Sequence, residues 1–448
     1  MTLASSRSIP ALIDRERLGA FQWRVLALCV LIALLDGFDT QAIAFTGPAI
    51  LAAFKLPANA LAPILTAGII GMTLGAMTLG LVGDRIGRRP AIMIGLALFG
   101  CATLATSWAT TPQLILVLRF IAGLGMGGCT PVLLALAAEY GPARQRGAIM
   151  TGVLLGLPAG AMLGGLLAAR MLPVIGWQGI FVVGGGVPLA VLVLAALLLP
   201  ESLYYQASRG GARGQRYVHN TLAKIVTQPL PPDVRFTVPE EAVAKASVGA
   251  LFRDGYAAKT LAIWAVYLLN WVAWFMLLSW LPTVLKSAGL PAAQAPLGTV
   301  IVNAVFIVCA IPLSFALPRV NTRNLLGSMF AFGIAIACGL GYAGTHWALV
   351  FALVGAAGFG IGGQQIALNY LVVGAYPTAL RATATGWAIG MGRAGAIAGS
   401  AIGGTFLSWG GPAGFFLALA VPLAGAALAV FSLRLDPVRA EVALSSNH

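Results

Sequence analysis

Twelve runs of about twenty mostly apolar residues follow one another along this chain, and no other feature restricts its fold so tightly. An α-helix rises 1.5 Å per residue, so roughly 20 apolar residues cross the hydrocarbon core of a bilayer. The runs fall at 23–46, 60–82, 91–109, 112–137, 147–170, 177–199, 260–281, 295–317, 324–343, 347–373, 383–407 and 412–433. The first is too long for a signal-peptide core and has no small-residue cleavage site after it, so it reads as a helix. Charged residues make up 9% of the chain and hydrophobic residues 59%. A soluble domain carries about 25% charged residues, so a chain this poor in charge needs lipid around it. The expected fold class is an all-α membrane protein of twelve transmembrane helices.

A net charge of +14 raises the question of nucleic-acid binding, which the placement of the charge answers. With a cytoplasmic N-terminus, only Lys55, Arg170 and Lys286 fall in outside loops. Arg119 and Arg393 lie within apolar runs, and every other Lys and Arg is inside. This is the positive-inside pattern, which puts both termini in the cytoplasm and leaves the basic excess to orientation and anionic lipid. The partner is a bilayer, and no nucleic acid is expected. Cys29, Cys101, Cys129, Cys309 and Cys338 all lie in apolar runs without a CxxC pair, so they read as packing residues. Three scattered histidines offer no metal site.

The polar stretch 200–259 follows six runs and precedes six, and contains Pro229, Pro231, Pro232 and Pro239 among mixed charges. It reads as a linker with short helical pieces. The expected organisation is an N-tail at 1–22, a six-helix bundle at 23–199, the linker at 200–259, a second bundle at 260–433 and a C-tail at 434–448. The bundles look like repeats. GDRIGRRP from Gly83 recurs as LPRVNTRN from Leu317, an offset of 234, so that Arg85 matches Arg319 and Arg89 matches Arg323. PARQRG from Pro142 recurs as PTALRA from Pro377 at an offset of 235. Parallel six-helix repeats around a central cavity are a known transporter plan.

The pattern at Gly80, Asp84, Arg85, Gly87, Arg88 and Arg89 resembles the G-x-x-x-D-R-x-G-R-R signature of the major facilitator superfamily. A glycine-closed turn there carries a carboxylate and arginines able to pair across helix ends. The resemblance implies a gating role for Asp84, Arg85, Arg88 and Arg89, with Glu139 and Arg146 at the end of helix four. In particular, Asp84, Arg85 and Glu139 are expected to latch the inward side. The second copy has Pro318 in place of the acid and Asn321 in place of the glycine, so any gate is asymmetric. A narrower resemblance follows from DGFDTQAIAF at Asp36, SWLPTVLKSAGL at Ser279, GGQQIALN at Gly362 and YPTALRATATGWAIGMGR at Tyr376. Together these resemble the aromatic acid:proton symporter family. Membership implies import of a small aromatic carboxylate with protons across a bacterial inner membrane, by a monomer without a cofactor.

The intramembrane charges can be read without the family. An ionisable group in the membrane core costs a few kcal/mol, so it faces a cavity or a partner. Asp36, Asp39, Arg119 and Arg393 are the clear cases, at heights of ~20, ~24, ~30 and ~18 Å above the inner ends of their helices. Asp36 and Asp39 share a helix face, and two such carboxylates repel until one holds a proton. Either can therefore take the symported proton. Arg119 neutralises the acidic pair and Arg393 meets the substrate carboxylate as a planar fork, although these two roles are interchangeable. The plainer alternative is that the four form fixed ion pairs holding helices together. Tyr267, Asn270, Trp271, Trp274 and Phe275 in helix seven, and Gln364, Gln365 and Asn369 in helix ten, offer rings and amides to a pocket. The binding set is thus Arg119, Arg393, Gln364, Gln365, Asn369, Asn270 and Trp274. A proton-driven exporter, or an importer of another organic anion, uses the same scaffold. An enzyme is not expected, because no HExxH, GxSxG or phosphate loop occurs.

Overall fold

The computed structural model describes residues 6–433 apart from 210, 232–233, 239–246 and 254. The C-tail at 434–448 and Lys245 of the linker lie outside the described residues. The chain divides into two compact units, Met1–Glu241 with Ser279–Ala304, and Ala242–Leu278 with Val305–His448.

The first unit runs β1 (Ser6–Ser8), α1 (Ile9–Ile13), α2 (Ala20–Ala53), α3 (Leu61–Ile86), α4 (Arg88–Thr106), α5 (Pro112–Tyr140), α6 (Ala143–Leu198), α7 (Leu203–Ser208), α8 (Gly211–Leu222) and β2 (Arg235–Thr237). Then come α9 (Ala257–Ser287) and α10 (Pro296–Ala316), whose residues are divided between the units. The second unit continues with α11 (Thr322–Tyr342), α12 (Trp347–Ala357), a π-helical turn at Gly358–Gly362, α13 (Gln364–Ala375), α14 (Thr378–Ala418) and α15 (Ala420–Ser432). Local chemistry sets several starts. Thr111 caps α5 by accepting from the Leu114 amide at 3.2 Å, with Pro112 in the first turn where a missing N–H costs nothing. Asn321 caps α11 through the Arg323 and Asn324 amides.

Among the described residues, ten helical stretches are long and apolar enough to cross a membrane. Two of them, Ala143–Leu198 and Ala379–Ser432, have 56 and 54 residues, about twice what one crossing needs. Each holds one glycine at positive φ, Gly176 (φ 66°) and Gly411 (φ 60°), where non-helical backbone divides the stretch into two helices across a kink. Divided at those glycines, the ten stretches give twelve segments.

The linker is more ordered than its composition suggests. α7 and α8 fold beside a two-stranded parallel sheet in which Ser6, Arg7 and Ser8 pair with Arg235, Phe236 and Thr237. Ile9, Ile13, Leu203, Val218, Leu222 and Phe236 are buried in the same core as the lower parts of α2, α4 and α5. A short apolar stripe on α8 was enough to dock it, although the surrounding prolines and charges mark a loop.

The repeat is visible inside each unit. A Cβ on Gly160 would lie 1.8 Å from the Leu34 carbonyl oxygen, and one on Gly395 would lie 2.2 Å from that of Leu268. Both pairs keep the sequence offset of 234 to 235, so α2 meets α6 as α9 meets α14. Only a residue without a side chain allows helix backbones so close. The matched arginines behave alike as well. Arg89 donates to the Ala196 carbonyl and Arg323 to the Phe431 carbonyl, capping the C-terminal ends of α6 and α15 respectively.

Candidate functional site

In the first unit charged groups from α2 and α5 meet beside hydroxyls of α4. Asp39 of α2 and Arg119 of α5 form an ion pair at 3.0 Å, and the two residues are 1% and 3% exposed. Thr103 of α4 donates to the second oxygen of Asp39 at 2.7 Å. Arg119 in turn donates to Thr103 at 2.8 Å and to Thr106 at 3.3 Å, and its guanidinium lies 5.0 Å from the centre of the Phe181 ring. Hydroxyls and a ring face thus share the load that lone burial would put on the cation.

Asp36 sits one turn away, also 1% exposed, in a different setting. Thr130 of α5 donates to one oxygen at 2.6 Å and Thr40 to the other at 3.3 Å. A hydroxyl both donates and accepts, so these partners suit either protonation state of Asp36. Asp39 has, beside its hydroxyl partner Thr103, a guanidinium that only donates. The two aspartates share a helix face but not a chemistry.

The second unit carries a neutral counterpart. Asn270 of α9 donates to Gln364 of α13, and Gln364 donates back to the Gly360 carbonyl inside the π turn. Asn270 stands at the repeat position of Asp36, and Gln364 at that of Thr130. Around them Trp271 donates to Gln365, Gln365 donates to Asn369 at 3.3 Å, and Tyr267 donates to Asn369 at 2.8 Å. Trp271 stacks on Phe275 with centroids 5.4 Å apart, and Trp274 lies 6.1 Å from Phe306. Gly392 of α14 packs on the Trp271 ring, next in sequence to the half-buried Arg393. The predicted amides therefore form two hydrogen-bonded groups, Asn270 with Gln364, and Gln365 with Asn369, the second joined by Tyr267 and Trp271.

The loop residues arrange themselves differently from the latch expected of Asp84, Arg85 and Glu139. The ion pair to Glu139 comes from Arg88, and Ser202 donates to the other Glu139 oxygen at 2.7 Å. Asp84 and Arg85 are exposed, and among the described residues neither pairs with Glu139. Arg146 is half-buried, whereas its neighbour Arg144 donates to the backbone carbonyls of Asp14 and Glu16. The centre of this network is Glu201, which accepts from the amides of Arg88, Arg89 and Ser202 at 2.8, 3.1 and 2.7 Å. A carboxylate at the N-terminal end of α4 meets both free amides and the positive end of the helix. Sequence reasoning passed over Glu201 because it lies in the linker. It also passed over Thr103, Thr106 and Thr130, since a threonine in an apolar helix commonly bonds its own backbone, as Thr106 does to Ala102.

Membrane-crossing helices that keep an ion pair and amide clusters among them define a polytopic membrane transport protein. Residues 29–339 match the Major Facilitator Superfamily. The chain is 36% identical to a gallate transporter of Pseudomonas putida over 94% of its own length and 93% of the relative's. It is 34% identical to the 4-hydroxybenzoate transporter PcaK of Pseudomonas aeruginosa, with 90% of each covered. It is 30% identical to the 3-(3-hydroxy-phenyl)propionate transporter of Escherichia coli, with 91% and 93% covered. Among solved structures it resembles a D-xylose-proton symporter (TM-score 0.69, 18% identity, 94% of this chain and 99% of the other). It also resembles a bacterial homologue of the lysosomal transporter Spinster (TM-score 0.70, 15% identity, 94% and 98%). The chain belongs to the Major Facilitator Superfamily and, within it, to the aromatic acid transporter family. It is a transporter and not an enzyme.

Proposed function

We propose that this protein imports a small aromatic carboxylate together with protons, by alternating access, through a bacterial inner membrane with both termini in the cytoplasm. It acts as a monomer and needs no cofactor beyond the coupling proton. The names of its relatives support the substrate class. The observation that carries the coupling is the unequal setting of two buried aspartates three residues apart. Asp39 pairs with the Arg119 cation, while Thr130 and Thr40 donate to Asp36 through hydroxyls that suit a carboxyl with or without its proton. Asp36 is the proton site in this reading, and Asp39 with Arg119 fixes the charge beside it. The repeat supports it, since the corresponding Asn270–Gln364 pair in the second unit has no titratable group. Arg393 meets the substrate carboxylate, with Trp274, Gln365 and Asn369 around the ring. Arg88, Arg89, Glu139 and Arg146, with Asp84 and Arg85, form the gating region.

The test separates binding from coupling. Purified protein in proteoliposomes is assayed for 4-hydroxybenzoate counterflow, which needs no proton gradient, and for accumulation under an imposed inward gradient. Asp36→Asn is expected to keep counterflow and to lose accumulation. A variant that still accumulates substrate against its gradient overturns the assignment. Efflux driven by the inward gradient in wild type overturns the direction.

A further inference from the structure

A recess of about 400 Å³ lies in the first unit, away from the aspartates, between the end of α2 and the end of α9. Its wall includes Pro48, Lys55, Leu56, Thr283, Lys286 and Ser287. The volume falls within the roughly 300–1,000 Å³ of small-molecule sites. We infer that this recess is an outer docking site, where an aromatic carboxylate is held before it reaches the central site. The inference rests on the substrate class proposed above.

Three observations carry it. First, Lys55 and Lys286 are two of the three basic residues outside the inward-side loops and the apolar runs, and both line the same recess. Lys286 donates to the Pro48 carbonyl at 3.2 Å, which fixes its ammonium at the wall. An ammonium has three N–H donors, and among the described residues this is its one hydrogen bond. Second, Thr283 is 5% exposed, and its hydroxyl has no hydrogen-bond partner among the described residues. A buried hydroxyl left unsatisfied destabilises the fold, and a ligand oxygen would supply the missing partner. Third, Lys55 is the only non-glycine residue with positive φ (52°) among the described residues. It ends α2, with the Leu56 amide donating to the Leu51 carbonyl at 2.9 Å, and this helix cap sets a long cation on the rim of the recess. Leu51 and Leu56 give the recess an apolar side for a ring, opposite in character to the two ammonium groups. A single-ring carboxylate has both halves of that pattern.

Cationic walls raise the local concentration of an anion and act mainly on capture. Removing them should alter KM and leave the maximal rate in place. Each exposed lysine–carboxylate contact is modest, so Lys55→Gln/Lys286→Gln is expected to raise the KM for 4-hydroxybenzoate uptake about three- to tenfold. The dependence of KM on ionic strength should disappear with it. Because Lys286 also bonds the backbone, Thr283→Val serves as a second variant. It matches the shape of threonine and removes a hydroxyl that has no internal partner, so it should fold as well as wild type while weakening capture. Equilibrium binding of radiolabelled 4-hydroxybenzoate in nanodiscs should give two sites per wild-type chain and one in either variant.

Unchanged KM and stoichiometry in both variants overturn the docking site while leaving the transport reading intact. A wild-type protein that neither binds nor transports aromatic acids overturns both. Nanodiscs of phosphatidylcholine and of phosphatidylglycerol form the final arm. Loss of the second site only in phosphatidylglycerol assigns the recess to a lipid headgroup and overturns the substrate assignment.

Discussion

Replacing Asp39 with asparagine tests the ion pair on which the first unit is built. The change keeps the size of the side chain and an acceptor for Thr103, but leaves Arg119 without its carboxylate at 3% exposure. Thr103 and Thr106 still accept from the guanidinium, yet neither carries charge. Removing one partner of a buried pair costs about 3–5 kcal/mol, because the other charge remains uncompensated. Unfolding entropy of about 2 cal/mol/K per residue, applied to 448 residues, gives about 1 kcal/mol per degree. Asp39→Asn should therefore lower the melting temperature by about 3–5 °C in detergent, read by intrinsic fluorescence or by size exclusion after heating. Asp36→Asn keeps partners for Thr130 and Thr40 and should shift it by about 1 °C or less, since a hydroxyl bonds an amide as well as a carboxylate. Adding Arg119→Gln to Asp39→Asn removes the stranded cation and should recover at least half of the loss. The reasoning fails if Asp39→Asn melts with wild type, or if the double variant melts no higher than the single one.

Two further predictions rest on the packing and on the linker. Gly160→Ala places a methyl group 1.8 Å from a backbone oxygen that cannot turn aside, and should cost about 3 kcal/mol. Gly152→Ala, with open space around it, should be neutral in the same melting assay. Glu16 lies outside the membrane segments and accepts from the Thr227 hydroxyl at 2.7 Å and the Thr227 amide at 3.1 Å. Those bonds, the hydroxyl foremost, hold its carboxyl below the ordinary 4.5. The stabilisation is present above 4.5 and is lost as pH falls through the lowered value of the folded state. Hydrogen exchange at Thr227 should thus be slower in wild type than in Glu16→Gln at pH 7, with the difference shrinking as the pH is taken progressively below 4.5.

How much could be read beforehand depended on whether a feature belongs to one helix or to two. The apolar runs and the aspartates at 36 and 39 are properties of single helices, and hydropathy with a period of 3.6 residues suffices for them. The duplication was legible too, because Arg89 and Arg323 keep their spacing in sequence and then cap equivalent helix ends. The linker was legible only in part: short helical pieces were expected, but prolines and charges hid the docking of α8 and a strand pair joining residues more than two hundred positions apart.

The sequence alone determined that this chain lives in lipid, which residues carry charge there, and that two halves repeat one plan, because burial cost and helix rise act residue by residue. Only the tertiary structure decided that Arg119 binds Asp39, that Thr130 and Thr40 donate to Asp36, and that Glu139 takes Arg88. Those choices depend on how each helix is turned toward its neighbour. That rotation is set where glycines such as Gly37 and Gly160 let backbones touch, a contact no single helix can specify.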